Sequence, residues 1–331
     1  MRDHIRPGGW WTLQAGPGNA ITDVAGVKVG QVTLDRGPVQ TGFSAVLPHG
    51  GDLFAQPVPA GVCVLNGFGK SAGLMQLAEL GQIETPILLT NTFSVAAGTE
   101  ALIRRAIADN PQIGRSLPTV NPLVLECNDG RVNDIQAMAL RPDHALAAIG
   151  RADGGPVRQG TVGAGRGMVS FGLSGGIGTA SRLCGGWVLG ALVLSNFGQP
   201  GELRVMGRRL QAARPEAEKG SIIMLLATDA PLDSRQLSRL ARRSAAGLGR
   251  LGSHLGHGSG DIAVAFSTAL PTADANGLLT CQRLAEPDLD PLFLATAEAV
   301  EEAVLNALWH AEPVPRREGP ATVLRDMLAW G

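Results

Sequence analysis

The sequence predicts an α/β fold in which two sheets pack face to face with helices outside, a sandwich built as one domain over residues 1–331. Three observations carry this. Apolar runs of strand length, bounded by Gly and Pro, are interspersed with stretches of helix formers. The two kinds do not follow one another in the regular order of a doubly wound sheet or barrel. No internal repeat or low-complexity linker divides the chain. Hydrophobic residues are 44% of the total, enough for a large core, and 45 glycines mark many tight turns and close backbone approaches.

Taken in order, Ile21 to Gly30 alternates and turns at glycines and reads as short strands; Thr41 to Leu47 is another, stopped by Pro48. Val62 to Leu65 is a buried strand by composition, and a helix follows from about Ala72 to Leu80. Between them Gly69-Lys70-Ser71 suggests a phosphate loop, but that pattern needs glycine at position 64, where the chain has Val64. Pro86 to Leu89 is strand-like, and Ser94 caps a helix from Val95 to about Asp109, ended before Pro111. Pro122 to Glu126 is a strand leading into the turn Cys127-Asn128-Asp129-Gly130, and helix returns from about Pro142 to Ile149. Gly163, Gly165 and Gly167 do not have dinucleotide-binding spacing, so no nicotinamide or flavin cofactor is expected. Met168 to Phe171 is strand-like, Trp187 to Leu194 is a core strand ending at Ser195-Asn196, and Glu202 to Arg209 suggests a strand and turn. Ala212 to Gly220 reads as a polar loop and Ser221 to Thr228 as a core strand. Asp233 and Gln236 form a capping box for a helix that buries Leu237, Leu240, Ala241, Ser244 and Leu248 and solvates Arg235, Arg239, Arg242 and Arg243. Ile262, Val264 and Phe266 alternate along one more strand. Asp290 caps and Pro291 starts a long helix to about His310, and Arg316 to Gly331 reads as one short helix.

Composition excludes several functions. A net charge of −1 without a basic block argues against nucleic acid. Met1 to Trp11 has no apolar core of a signal peptide, and Trp187 to Leu194, the longest apolar run, is far too short for a bilayer, so a cytoplasmic protein without membrane contact is expected. Cys63, Cys127, Cys184 and Cys281 lack paired spacing, which predicts reduced, buried thiols and no metal. Tyrosine is absent altogether.

The chemistry centres on His257-Gly258-Ser259-Gly260-Asp261, where a loop of small residues becomes a strand. A strand anchored in the core holds Ser259 rigidly at its mouth, as a reacting atom requires. Gly-Ser-Gly-Asp followed by an apolar strand ending Ala265-Phe266-Ser267-Thr268 resembles the L-aminopeptidase/D-esterase (DmpA-like) family of N-terminal-nucleophile peptidases, which includes the β-peptidyl aminopeptidases. Further resemblance runs from Ile21 through Gly175–Arg182 and Ala227–Leu232 to Leu292–Leu308. It implies an α-β-β-α sandwich and an inactive precursor that cuts itself between Gly258 and Ser259. An α subunit, 1–258, and a β subunit, 259–331, would result, with Ser259 as nucleophile and tetramers of αβ units as the assembly. The substrate would be a small peptide, amino-acid amide or ester. The residues suit such a cut. A serine hydroxyl needs a base, and the freed α-amine, with an ordinary pKa near 8, can serve as one. Gly258 has no Cβ to obstruct approach to its carbonyl.

Other roles come from the resemblance alone. Asn196 matches an asparagine that stabilises the oxyanion. Asn128 stands where the family usually has a tyrosine, a shorter and less acidic donor. Thr296 and Glu298 match a hydroxyl and a glutamate near the nucleophile, although they lie about 200° apart on an ideal helix. Asn133 and Asp134 match a turn near the substrate amine. Two alternatives stay open. One is an uncleaved or weakly active homologue that binds amino-acid derivatives, which Asn128 keeps alive. The other is an α/β-hydrolase-type esterase on Ser174, because Gly172-Leu173-Ser174-Gly175-Gly176 fits the nucleophile elbow and Asp229 and His310 follow in triad order.

Overall fold

The computed structural model describes residues 10–210, 220–273, 276–315 and 322–327. A hairpin of β1 (Lys28–Arg36) and β2 (Val39–Leu47) turns at Gly37, whose φ of +54° favours glycine. Next come β3 (Val58–Gly67), α1 (Leu74–Leu80), β4 (Gln82–Ile83), β5 (Ile87–Asn91), α2 (Val95–Asp109), β6 (Leu123–Cys127) and α3 (Pro142–Gly150). The glycine-rich stretch supplies a two-residue hairpin, β7 (Val169–Ser170) and β8 (Leu173–Ser174), and then the long pair β9 (Gly176–Cys184) and β10 (Trp187–Asn196). A small hairpin, β11 (Arg204–Val205) and β12 (Arg208–Arg209), precedes β13 (Ser221–Thr228), α4 (Ser234–Arg242), α5 (Ser244–Arg250) and β14 (Gly260–Ser267). The last elements among the described residues are α6 (Asp290–Trp309) and α7 (Leu324–Met327).

The strands form two main sheets, β1-β2-β5-β6 and β4-β3-β14-β13-β10-β9. Period-2 alternation sorts their side chains into three apolar layers. Ile222, Met224 and Leu226 of β13 and Ala263 and Ala265 of β14 face Leu237, Leu240, Leu248, Val300 and Val304 on α4, α5 and α6. Ile223, Leu225, Ile262, Val264 and Phe266 face the other way, onto Val46, Ile87, Leu89 and Leu125 of the smaller sheet. The outer side of that sheet, with Phe43, Leu88 and Val124, is covered by Ala101, Leu102, Ala145 and Ile149 of α2 and α3. This is the expected α-β-β-α sandwich. Among the described residues no helix is long and apolar enough to cross a membrane.

Several local expectations need correction. Cys127 and Cys184 are buried, but Cys63 is half-buried and Cys281 is exposed. Ile21–Asp23 is a helical turn rather than a strand, because the Asp23 carboxylate accepts from the Gly18 and Ala20 amides and from the Ser181 hydroxyl. Ser94 makes no side-chain cap; Asn91 accepts from the Ser94 amide instead. The helix after Asp233 has the expected capping box, with Gln236 N–H on Asp233 at 2.7 Å, but breaks into α4 and α5 at Arg243. Of its basic face, Arg235 and Arg239 pair with Glu286, and Arg239 and Arg243 lie over the Phe293 ring. Asp290 is the first residue of α6 and Leu289 its cap position, reached through a helical turn at Glu286–Leu289. The polar loop expected at Ala212–Gly220 lies, apart from Gly220, outside the described residues, as do 316–321 and 328–331 of the terminal helix expectation.

Candidate active site

Four strand ends of the larger sheet meet in one row. Asn196 of β10 pairs with Ser221 of β13, Ser221 with Gly260 of β14, and Gly260 with Gly67 of β3. Two strand spacings separate Asn196 from Gly260, about 10 Å. Ser259 is the residue immediately before this row. It is fully buried, while Gly258 is half-buried and His257 exposed. Its N–H donates to Gly256 O at 3.0 Å, closing a turn around Gly258. Its hydroxyl donates to Asp261 Oδ1 at 2.5 Å. Gly260 must be glycine, since a Cβ there would lie 2.7 Å from the Phe68 carbonyl oxygen. In the intact chain, then, the group that holds the serine proton is a carboxylate two residues along the same strand.

Asn196 is fixed at both ends of its amide. Oδ1 accepts from Val169 N–H at 2.8 Å and Nδ2 donates to Asn128 O at 3.0 Å. A carbonyl on one side and an N–H on the other leave one sensible amide orientation. That bond uses one of the two Nδ2 protons. Asn128 contributes its backbone, not its side chain: the side chain is exposed and its Oδ1 caps its own turn by accepting from Gly130 N–H at 2.9 Å. Asn133 is buried, donating to Asp129 Oδ1 at 3.1 Å and accepting from Gln40 N–H at 2.9 Å. The Asp134 amide bonds to Pro38 O. The 128–134 turn is thereby tied to the β1–β2 hairpin.

Three carboxylates gather where β6 ends against the larger sheet. Cys127 touches Leu194 O through its thiol at 3.6 Å. Burial, then Glu126, Asp261 and Asp129, push that thiol well above its ordinary pKa, so it stays protonated and is no nucleophile. Burial also raises Asp129 to about 6, against hydrogen bonds from Thr41, Asn133 and Asn91 that pull it down. Glu126 is buried and accepts from the Lys70 amide at 2.7 Å and from the Thr92 hydroxyl. Three buried acids this close together favour a cation beside them, such as a substrate ammonium.

Thr296 and Glu298 are not brought to Ser259, and the expected role near the nucleophile is corrected here. Glu298 is buried under the N-terminal segment, accepting from the amides of Thr12 at 2.7 Å and Leu13 at 3.1 Å and from Arg182 Nε at 3.0 Å. Arg182 pairs with Leu189, Leu189 with Thr228 and Thr228 with Ser267, at the far end of the sheet from Gly260. Seven residue rises separate those rows, about 23 Å. The Thr296 hydroxyl bonds back to Leu292 O on its own helix at 2.9 Å. The elbow on Ser174 is not assembled either. Asp229 follows Thr228 at that same far end and accepts from Val188 N–H, whereas Ser174 lies beside Gly176, which pairs with Ser195. Sequence reasoning missed Asp261 as the serine's partner, Glu126 as a buried acid and Asn66, whose side chain reaches the loop before Ser259. The offset of two from Ser259 to Asp261 was the available signal; nothing local marked Asn66.

The family described as peptidase family S58 matches residues 19–322. The chain is 40% identical to a beta-peptidyl aminopeptidase of Sphingosinicella microcystinivorans, over 90% of this chain and 83% of the relative. A solved structure from Pyrococcus horikoshii OT3 superposes with a TM-score of 0.90 at 45% identity, covering 97% of this chain and 94% of that one. The L-aminopeptidase D-Ala-esterase/amidase of Ochrobactrum anthropi, described as a variant of the N-terminal-nucleophile hydrolase fold, superposes with a TM-score of 0.88 at 35% identity, covering 99% and 97%.

Proposed function

The chain belongs to peptidase family S58 and is an aminopeptidase with the N-terminal-nucleophile hydrolase fold, and on that premise we propose that it cuts itself between Gly258 and Ser259 and then uses Ser259 to release N-terminal residues from small peptides, amides or esters. The observation that carries this is the 2.5 Å contact of the Ser259 hydroxyl with Asp261, directly behind a turn that presents the Gly258–Ser259 bond. Before the cut no free amine exists, so Asp261 takes the hydroxyl proton as Oγ attacks the Gly258 carbonyl carbon. The C–N bond breaks, the nitrogen leaves protonated as the Ser259 α-amine, and Gly258 is held as an ester on Oγ. Water opens the ester to a Gly258 carboxylate and a free hydroxyl.

In turnover the α-amine replaces Asp261 as the base, its ordinary pKa near 8 leaving part of it neutral at pH 7. The substrate acyl passes to Oγ, its leaving amine takes the proton, and water completes hydrolysis. Asn196, its Oδ1 held by Val169 N–H and its Nδ2 by Asn128 O, supplies an oxyanion donor through the second Nδ2 proton. The acids at Glu126 and Asp129 suit the substrate's ammonium, which is what makes the reaction an aminopeptidase's. Residues with β-amino groups belong to the substrate class, since the Sphingosinicella relative is a beta-peptidyl aminopeptidase. By resemblance, the cut units assemble as a homo-oligomer, a tetramer of αβ units.

Intact mass under denaturing conditions tests the reading. Wild-type protein should separate into residues 1–258 and 259–331, and Ser259→Ala should remain one chain. A wild-type protein that hydrolyses substrates while staying whole would refute the amine-as-base mechanism.

A further inference from the structure

The β3 strand carries a bulge beside the serine. Asn66 pairs with Asp261 and Val64 with Ile262, so Leu65 is an extra residue with no partner on β14. Bulges of this kind re-aim a side chain next to a reaction centre. Here the re-aimed side chain is that of Asn66. Its Nδ2 donates to Gly256 O at 2.7 Å and to His257 O at 3.4 Å, the two carbonyls that precede the Gly258 residue. Gly256 O is also the acceptor for Ser259 N–H, the nitrogen of the bond that is to break. One carbonyl therefore ties the scissile amide to an amide donor on a neighbouring strand. The ring of His257 rests edge-on against Phe68 at 6.2 Å between centroids.

We infer that Asn66 is the positioning residue for self-cleavage, holding the 256–259 turn so that the Gly258 carbonyl stays presented to the Ser259 hydroxyl. The inference rests on the self-cutting proposed above. A serine at the head of a strand is rigid, but the loop before it contains Gly256 and Gly258 and has wide backbone freedom. Attack requires the reacting atoms in one arrangement, and a misplacement of about 1 Å can cost about 100-fold. The two Asn66 hydrogen bonds remove that freedom from the side of the chain that β14 does not control. Asn66 touches neither of the reacting atoms. Once Gly258 has become a chain end, the turn no longer exists to be held, so the need for Asn66 ends with the cut.

The test follows cleavage of full-length protein by intact mass over time, at several pH values. The variants are Asn66→Ala, Asn66→Asp and Ser259→Ala beside wild type, each checked for an unchanged melting temperature. Asn66→Ala should cut about 10- to 100-fold more slowly, while turnover per cut subunit stays within about twofold of wild type. Asn66→Asp gives the discriminating readout. Ionised, it offers only acceptors to two carbonyls and should be the slowest; protonated, it regains a donor, so its rate relative to wild type should rise as pH falls below about 5. A merely structural role would not produce that recovery. Cutting of Asn66→Ala at the wild-type rate, or an Asp variant whose relative rate ignores pH, would overturn the inference. If wild type itself stays whole like Ser259→Ala, the self-cutting reading fails first, and this inference falls with it.

Discussion

Asn128 shows how one residue divides its duties between backbone and side chain. Its carbonyl holds the Asn196 amide, while its side chain is turned back on Gly130. No tyrosine hydroxyl stands in this turn, so in the proposed mechanism Asn196 would work with little help, and losing one such donor typically costs about 100- to 1,000-fold in turnover. We therefore expect a processed but slow enzyme. Asn128→Tyr should raise kcat on small amino-acid amides with little change in KM, and Asn196→Ala should lower kcat by about 100-fold or more. A fast wild type that is slowed by Asn128→Tyr and indifferent to Asn196→Ala would place the oxyanion hole elsewhere. Asp129, one position along, makes a stability prediction. Its carboxyl is raised from 3.8 to about 6, chiefly by burial. The folded state thus holds the proton more tightly than the unfolded one, and stability contributed below pH 3.8 is lost as pH rises through about 6. Asp129→Asn should stabilise the protein at pH 8 by on the order of 2–3 kcal/mol more than at pH 4. Equal shifts at both pH values in denaturant melts would refute this. What the sequence revealed of the site was its local part. Ser259 stood out because a glycine loop met an apolar strand. Asn66 did not, because an asparagine before glycine at a strand end reads as a turn, and only the bulge gives it another use.

Among the elements, α6 explains why a two-residue motif misled. Thr296 and Glu298 sit in the half of the helix that crosses the far end of the sheet, and no local pattern says which end of a buried helix faces a site. The structure gives Glu298 a different task. With Glu301 and Glu302 it anchors the N-terminal segment: Glu301 accepts from the indoles of Trp10 at 3.0 Å and Trp11 at 3.2 Å, and Glu302 from Asn19 at 2.9 Å. Arg182, fully buried, bridges Glu298 and Glu302. Removing one member of such a cluster leaves a buried charge unpaired, so Glu298→Ala should cost about 3–5 kcal/mol in a denaturant melt. A stable, folded Glu298→Ala protein that has lost only its chemistry would restore the catalytic assignment. Strands of continuous apolar residues such as β13 were legible to the residue. The β9 strand was not, because its glycines answer to α6 and not to strand propensity: a Cβ on Gly178 would lie 1.9 Å from Ala303 O.

At the scale of the whole molecule, the proposed cut falls at the head of an interior strand. β14 is flanked by β3 and β13, and α6, from the same short fragment, covers the sheet. Breaking one peptide bond there removes none of those contacts. The two fragments should co-elute in gel filtration under native conditions and part only in denaturant; separation in plain buffer would refute this.

With the proposed cut, the interior place of β14 would also give the protein a history. Before the cut, folding is a first-order event in which β14 finds its two neighbours along one tether. After it, the same search needs a collision between two molecules, and the return rate scales with concentration. Denatured mature enzyme should therefore recover poorly on dilution, better when concentrated, and always less completely than the Ser259→Ala chain refolded beside it. The proposed cut, which would release the Ser259 amine, would also make the native state one the molecule reaches readily only once.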